Sequence, residues 1–101
     1  MLRISSPSAA FSGLQAAQLR SSVAAHNVAN LNTTDFKRQS VAQQAQPGGG
    51  VSAVVQTATQ AGSNLAHDVV EQISATYAFK ASAQVFRSQS RMLGALLDEK
   101  A

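Results

Sequence analysis

Apolar and small positions in the first third of the chain recur at alternating steps of four and three. Ala10, Leu14, Ala17, Ser21, Ala24, Val28 and Leu31 fall on one side of an α-helix, because such steps track a period near 3.6. The spacing predicts a helix over residues 8–31. Its stripe is narrow and made largely of small residues, which lets a second helix approach closely. Pro7 and Ser8 suit a helix start, since proline is tolerated in a first turn and a serine oxygen accepts from unpaired amides. Asn27, Asn30 and Asn32 cluster at the other end, where asparagine tolerates left-handed backbone.

A second, longer pattern fills the C-terminal third. Val69, Gln72, Thr76, Phe79, Ala83, Phe86, Ser90, Leu93 and Leu97 follow a seven-residue repeat, and Ile73, Tyr77, Met92 and Leu96 widen the stripe. The pattern predicts a helix over 64–98. Asn64 or Asp68 can cap its start, and Asp68 with Glu71 three residues on has the form of a capping box. The pairing surface expected from both stripes comprises Leu14, Ala17, Ala24, Val28 and Leu31 with Val69, Ile73, Phe79, Ala83, Phe86, Leu93 and Leu97. Pairing within one chain and pairing between chains satisfy the pattern equally.

Between the helices, over 32–63, the helical period disappears. Gln43 to Gly50 is rich in glutamine and glycine and ends in PGGG, a turn or flexible-loop signal. Val51 to Thr59, VSAVVQTAT, is β-branched and predicts an extended strand, with the stretch around Phe36 to Val41 as its hairpin partner. The expected architecture is mainly α: a single domain over 1–101, with long terminal helices pairing as a coiled coil or bundle and an irregular connector holding a short β-hairpin.

Composition sharpens this picture. At 101 residues the chain holds one small domain. Its apolar share is 45% but aromatics supply only 5% and tryptophan is absent, so few side chains bury large areas. Small domains of this kind gain stability from disulfides, metals or oligomerisation. Cysteine is absent, and His26 and His67 lie far apart without ligand-spaced neighbours. That leaves oligomerisation. The N-terminus MLRISSPSAAFSGLQAAQ lacks the apolar run of a cleavable secretory signal, and no segment is long and apolar enough to span a membrane.

The formal charge of +3 raises nucleic acid as a partner. Its carriers argue against that. Arg3, Arg20, Lys37, Arg38, Lys80, Arg87, Arg91 and Lys100 are dispersed, with no aromatic platforms interleaved. Lys80, Arg87 and Arg91 read as a solvated helix face. Catalysis has equally little support: Asp98 and Glu99 form a solvated tail pair, Gly48 to Gly50 lack the Lys-Ser/Thr of a phosphate loop, and no serine sits in a nucleophile elbow. No enzyme, cofactor, metal, nucleic-acid or small-molecule function is expected, and no stable membrane insertion.

One stretch carries a more specific signal. SGLQAAQLRSSVAAHNVANLNTTDFKRQ, residues 12–39, resembles the N-terminal signature of flagellar basal-body rod and hook proteins, an SGL-containing helix running into A-x-N-[IV]-A-N-x-x-T-x-G-[FY]-K-R. Ser12, Gly13, Leu14, Ala25, Asn27, Val28, Ala29, Asn30, Thr33, Phe36, Lys37 and Arg38 fall in place. VVEQISATYAFKASAQVFRSQSRMLGALL, residues 69–97, is similar to that family's closing helix. In physical terms, Asn27 and Asn30 can bond carbonyls at the helix exit, and Phe36 can peg the extended segment to a helix. The chain departs from the pattern at Asp35, where the family has glycine, and at Lys80 and Ser82, where it tends to have an acidic residue and asparagine. Lacking the large central domain of longer members, it resembles a minimal rod protein, or a short paralogue, more than the hook.

The resemblance implies a structural rod subunit, exported without a cleavable signal through the flagellar type III apparatus. It implies assembly in the periplasmic basal body with copies of itself and other rod proteins, through the terminal helices. A soluble coiled-coil adaptor or chaperone that binds a partner helix is the alternative; it predicts a discrete dimer or tetramer and no incorporation into basal bodies.

Overall fold

The computed structural model describes residues 7–100, in the order α1 (Pro7–Ala29), β1 (Gln39–Ala45), β2 (Val51–Thr57) and α2 (Leu65–Lys100). Two long helices pack on one another, and the segment joining them carries a two-stranded antiparallel sheet, as the periodicities predict. The helices run antiparallel: Gly13 of α1 lies against Ser82 of α2, and Asn27 against Asp68. At a rise of ~1.5 Å per residue α1 spans about 35 Å and α2 about 54 Å. The last turns of α2 therefore project past the start of α1, giving a slender body of 62 × 23 × 16 Å.

The exit from α1 is built by its asparagines. Asn30 donates from its backbone amide and from Nδ2 to the same His26 carbonyl, at 3.1 and 2.9 Å, and its Oδ1 accepts from Thr33 Oγ1 at 3.1 Å. Asp35 then takes φ 59°, so aspartate supplies the left-handed conformation for which glycine is the usual residue. Phe36 is half-buried and meets the His26 ring edge-on, with centroids 5.3 Å apart. α2 starts at Asn64, whose Oδ1 accepts from the His67 amide at 3.1 Å. Asp68, the other candidate cap, is buried in tertiary contacts instead, and Glu71 pairs with Arg20 and closes no capping box.

The core is thin. Its buried apolar members are Ala10, Ala16, Ala17, Val23, Ala24 and Ala75. Ala10, Ala17 and Ala24, seven residues apart, belong to the stripe that pairs with α2. Ser12, Ala16, Val23 and Asn27 form a second stripe, whose ends bond the hairpin at Val51 and Gln39. Each buried alanine contributes little area, so these contacts stabilise by close approach more than by bulk. A Cβ on Gly13 would stand 2.9 Å from Ser82 Oγ, which shows how near the helices come.

That closeness dictates which face of α2 turns inward. Asp68, Ala75 and Ser82, small or polar and seven residues apart, point toward α1, one position away from the expected heptad. Bulkier side chains cannot enter a seam set by alanine and glycine. Ala83 and Phe86 are half-buried at its margin. Val69, Ile73, Phe79, Leu93 and Leu97, expected in the pairing stripe, stand exposed by 40% to 63%. On α1, Ala17 and Ala24 are buried, while Leu14, Val28 and Leu31 are half-buried.

The hairpin also differs from its expected register. β1 begins later than Phe36 and extends through Ala45 into the glutamine-rich stretch predicted as loop, pairing Val41 with Val55 and Ala45 with Val51. Only Gln46 to Gly50 is needed to reverse the chain: Gly49 and Gly50 take φ 98° and 88°, and the Gln46 amide donates to the Gly50 carbonyl at 3.0 Å. Uncharged polar residues are compatible with strands whose outer face is solvated. The hairpin packs on α1.

Candidate functional site

Polar side chains from three elements converge where α1 ends, β1 begins and α2 begins. Asn27 is 3% exposed. Its Nδ2 donates to the Gln39 carbonyl at 2.7 Å and to Asp68 Oδ1 at 3.2 Å, while its Oδ1 accepts from the Gln39 amide at 2.9 Å. One side-chain amide thus satisfies both backbone groups of Gln39, as a neighbouring strand does. Arg38 grips the buried Asp68 carboxylate with two nitrogens, Nε to Oδ2 at 3.2 Å and Nη2 to Oδ1, the bidentate geometry suited to guanidinium and carboxylate. The outer nitrogen of Arg38 also lies 3.1 Å from Nδ1 of the exposed His67.

Two influences act on the Asp68 carboxyl. Burial pushes its pKa up, but hydrogen bonds from Arg38 and Asn27 and the positive charge of Arg38 outweigh burial, and the carboxyl lies below its ordinary value. The same hydrogen bond raises Arg38. An ionised carboxylate with both oxygens engaged is poorly placed to exchange protons with a substrate. The arrangement can instead hold elements in register, because removing any member leaves a buried polar partner unsatisfied. Two turns earlier in α1, Arg20 Nε donates to Glu71 Oε1 at 2.6 Å and its Nη2 to Ser74 Oγ at 2.9 Å, adding a second polar tie between the helices.

The N-terminal motif residues occupy the other contacts. Ser12 Oγ donates to the Ala9 carbonyl at 2.7 Å and accepts from the Val51 amide at 3.0 Å, fastening the turn end of the hairpin to α1. Leu14 lines an apolar groove with Phe11, Leu19 and Phe79. Val28 is half-buried; Ala29, Thr33 and Lys37 are exposed, as are Lys80, Arg87 and Arg91 on α2. Asp98 is exposed, whereas the side chain of Glu99 and all of Arg3 lie outside the described residues.

The helix, its asparagine exit and the following turn form the segment that comparison with known families picks out. Residues 8–37 match the family model described as flagella basal body rod protein. The match covers under a third of the chain, and it makes this segment similar to that family. That family is a structural component of the flagellum rather than an enzyme class. A search of curated proteins found no match. The matched segment supplies Ser12, Asn27, Asn30 and Phe36, so it contributes both anchors of the hairpin and one side of the polar cluster. No helix among the described residues is long and apolar enough to cross a membrane.

Sequence reasoning singled out Asn27 and Arg38 as motif residues without bringing them to Asp68, and it missed the Arg20–Glu71 pair. A signal was present. Asp68, Ala75 and Ser82 form a heptad of their own, and a carboxylate in such a small-residue stripe calls for a cation or amide on the facing element.

Proposed function

We propose that the chain is an axial building block of the flagellar rod, exported through the type III apparatus without a cleavable signal and joined to copies of itself and other rod proteins in the periplasm. The observation that carries this reading is the division of labour in α2. Its small, polar stripe is spent on α1, while Val69, Val70, Ile73, Tyr77, Met92, Leu93, Leu96 and Leu97 remain 40% to 69% exposed. Large apolar side chains in contiguous array along a helix need a partner surface in an assembled state. A body with an alanine core is weakly stable alone, which favours export in a loosely ordered state and ordering on assembly. Head-to-tail contacts that do not close then extend the structure as a filament.

Purified hook–basal bodies probed with an antibody against the chain test the proposal. The chain is expected in the rod fraction. Its absence from basal bodies of a strain that expresses it, together with a discrete dimer in solution, would favour a soluble adaptor and remove the rod reading.

A further inference from the structure

Among the described residues the hairpin has unpaired edges, and their pattern points to how they are used. The Ala58 amide donates to the Arg38 carbonyl at 2.8 Å, and the Gln46 amide to that of Gly50 at 3.0 Å. With the register Gln39↔Thr57 to Ala45↔Val51, these bonds fix the parity of the antiparallel ladder: even-numbered residues of both strands bond inward, and odd-numbered residues direct their backbone groups outward. α1 crosses the ribbon diagonally and covers two opposite corners. Asn27 satisfies both outward groups of Gln39, and Ser12 satisfies the outward amide of Val51. Among the described residues the other corners are open: Val41, Gln43 and Ala45 on β1, and Ala53, Val55 and Thr57 on β2.

Folded proteins usually protect such edges with charge, proline or a covering element. Neither QSVAQQA nor VSAVVQT contains a charged residue or proline. The open stretches also match each other. Set antiparallel, β1 of one molecule and the outer edge of β2 of another place Val41 opposite Thr57, Gln43 opposite Val55 and Ala45 opposite Ala53. Every outward residue then meets an outward residue, while the corners capped by α1 fall beyond the ladder.

We infer that this ribbon is a strand-addition surface whose occupant is a second copy of the chain, the β1 edge of one subunit pairing with the β2 edge of the next. The contact uses two different surfaces, so it propagates instead of closing. The inference rests on the self-assembly proposed above and adds an attachment made of backbone hydrogen bonds, separate from the helices.

The native chain has no cysteine, so single thiols report cleanly. Gln43→Cys and Val55→Cys chains are purified, mixed, concentrated and oxidised. The mixed 43–55 disulfide is expected in at least about tenfold excess over either homodimer, through the raised local concentration of aligned strands. Gln43→Pro removes an outward amide without breaking a bond of the hairpin; it is expected to keep the circular dichroism of the parent and to weaken self-association about tenfold or more. A 43–43 disulfide as the main product overturns the inference in favour of a closed two-fold pair. Assembly without the 43–55 disulfide and indifferent to Gln43→Pro overturns strand addition and leaves the rod reading standing. A mixture that stays monomeric at millimolar concentration overturns both.

Discussion

The two ends of the helix pair are held by different physics. At the connector end, Asn27, Arg38 and Asp68 form a buried and mutually satisfied polar cluster, with Arg20 and Glu71 close by. At the opposite end, contact depends on alanine methyl groups and on Gly13 lying against Ser82, and beyond it α2 carries Met92, Leu93, Leu96 and Leu97 exposed. Directional bonds fix geometry because their loss leaves orphaned groups in a poorly solvating environment. Methyl contacts are less demanding and let one end yield while the other stays put. A subunit built this way keeps its chain topology at one end and leaves the other adaptable to neighbours.

The contrast is broken most severely by Asp68→Ala. It strands the Arg38 guanidinium and the Asn27 amide in a partly buried site, and a loss of about 3 kcal/mol in urea unfolding is expected. The same carboxylate makes stability depend on pH. Its folded-state pKa is depressed, so its contribution is complete above the unfolded value of about 4 and is lost as pH falls toward the folded value. The parent should therefore lose stability below about pH 4 more steeply than Asp68→Asn, as followed by thermal melts across pH. At the other end, Gly13→Leu forces bulk into the closest approach of the helices; a cost of about 2 kcal/mol and a widened seam are expected from unfolding curves and spin-label distances across α1 and α2. Arg20→Ala removes a partly exposed tie and should cost only about 1 kcal/mol. Leu93→Glu with Leu97→Glu lies on the overhang and should change monomer stability by less than about 0.5 kcal/mol, while sedimentation shows weaker self-association.

These contrasts also explain what was legible in the sequence. Both helices and their lengths were visible because periodicity over several turns outweighs any single residue. The inward face of α1 was visible because Ala10, Ala17 and Ala24 are the smallest members of a regular stripe. The inward face of α2 was obscured: Val69, Ile73, Phe79, Leu93 and Leu97 are the larger hydrophobes, and a reading by hydrophobicity follows them outward, whereas the seam selects by size. Gln43 to Ala45 were assigned to a loop by composition, because nothing local reveals that α1 will support a ribbon at both ends. The polar cluster joins Asn27 to Arg38 and Asp68, residues 41 positions apart at most, and only the packed helices bring them together. The backbone at Asp35 was not legible either: the residue read only as a departure from a glycine, and its φ of 59° shows aspartate meeting the same demand.

Alanine-lined surfaces have low relief. Two such helices offer several nearly equivalent ways to mesh, each displaced from the next by one turn of about 5.4 Å. The grip of Asn27 on Gln39 and Asp68 singles out one of them, acting like the index pin of a sliding scale. Without it, the chain would keep its helices and lose its zero mark.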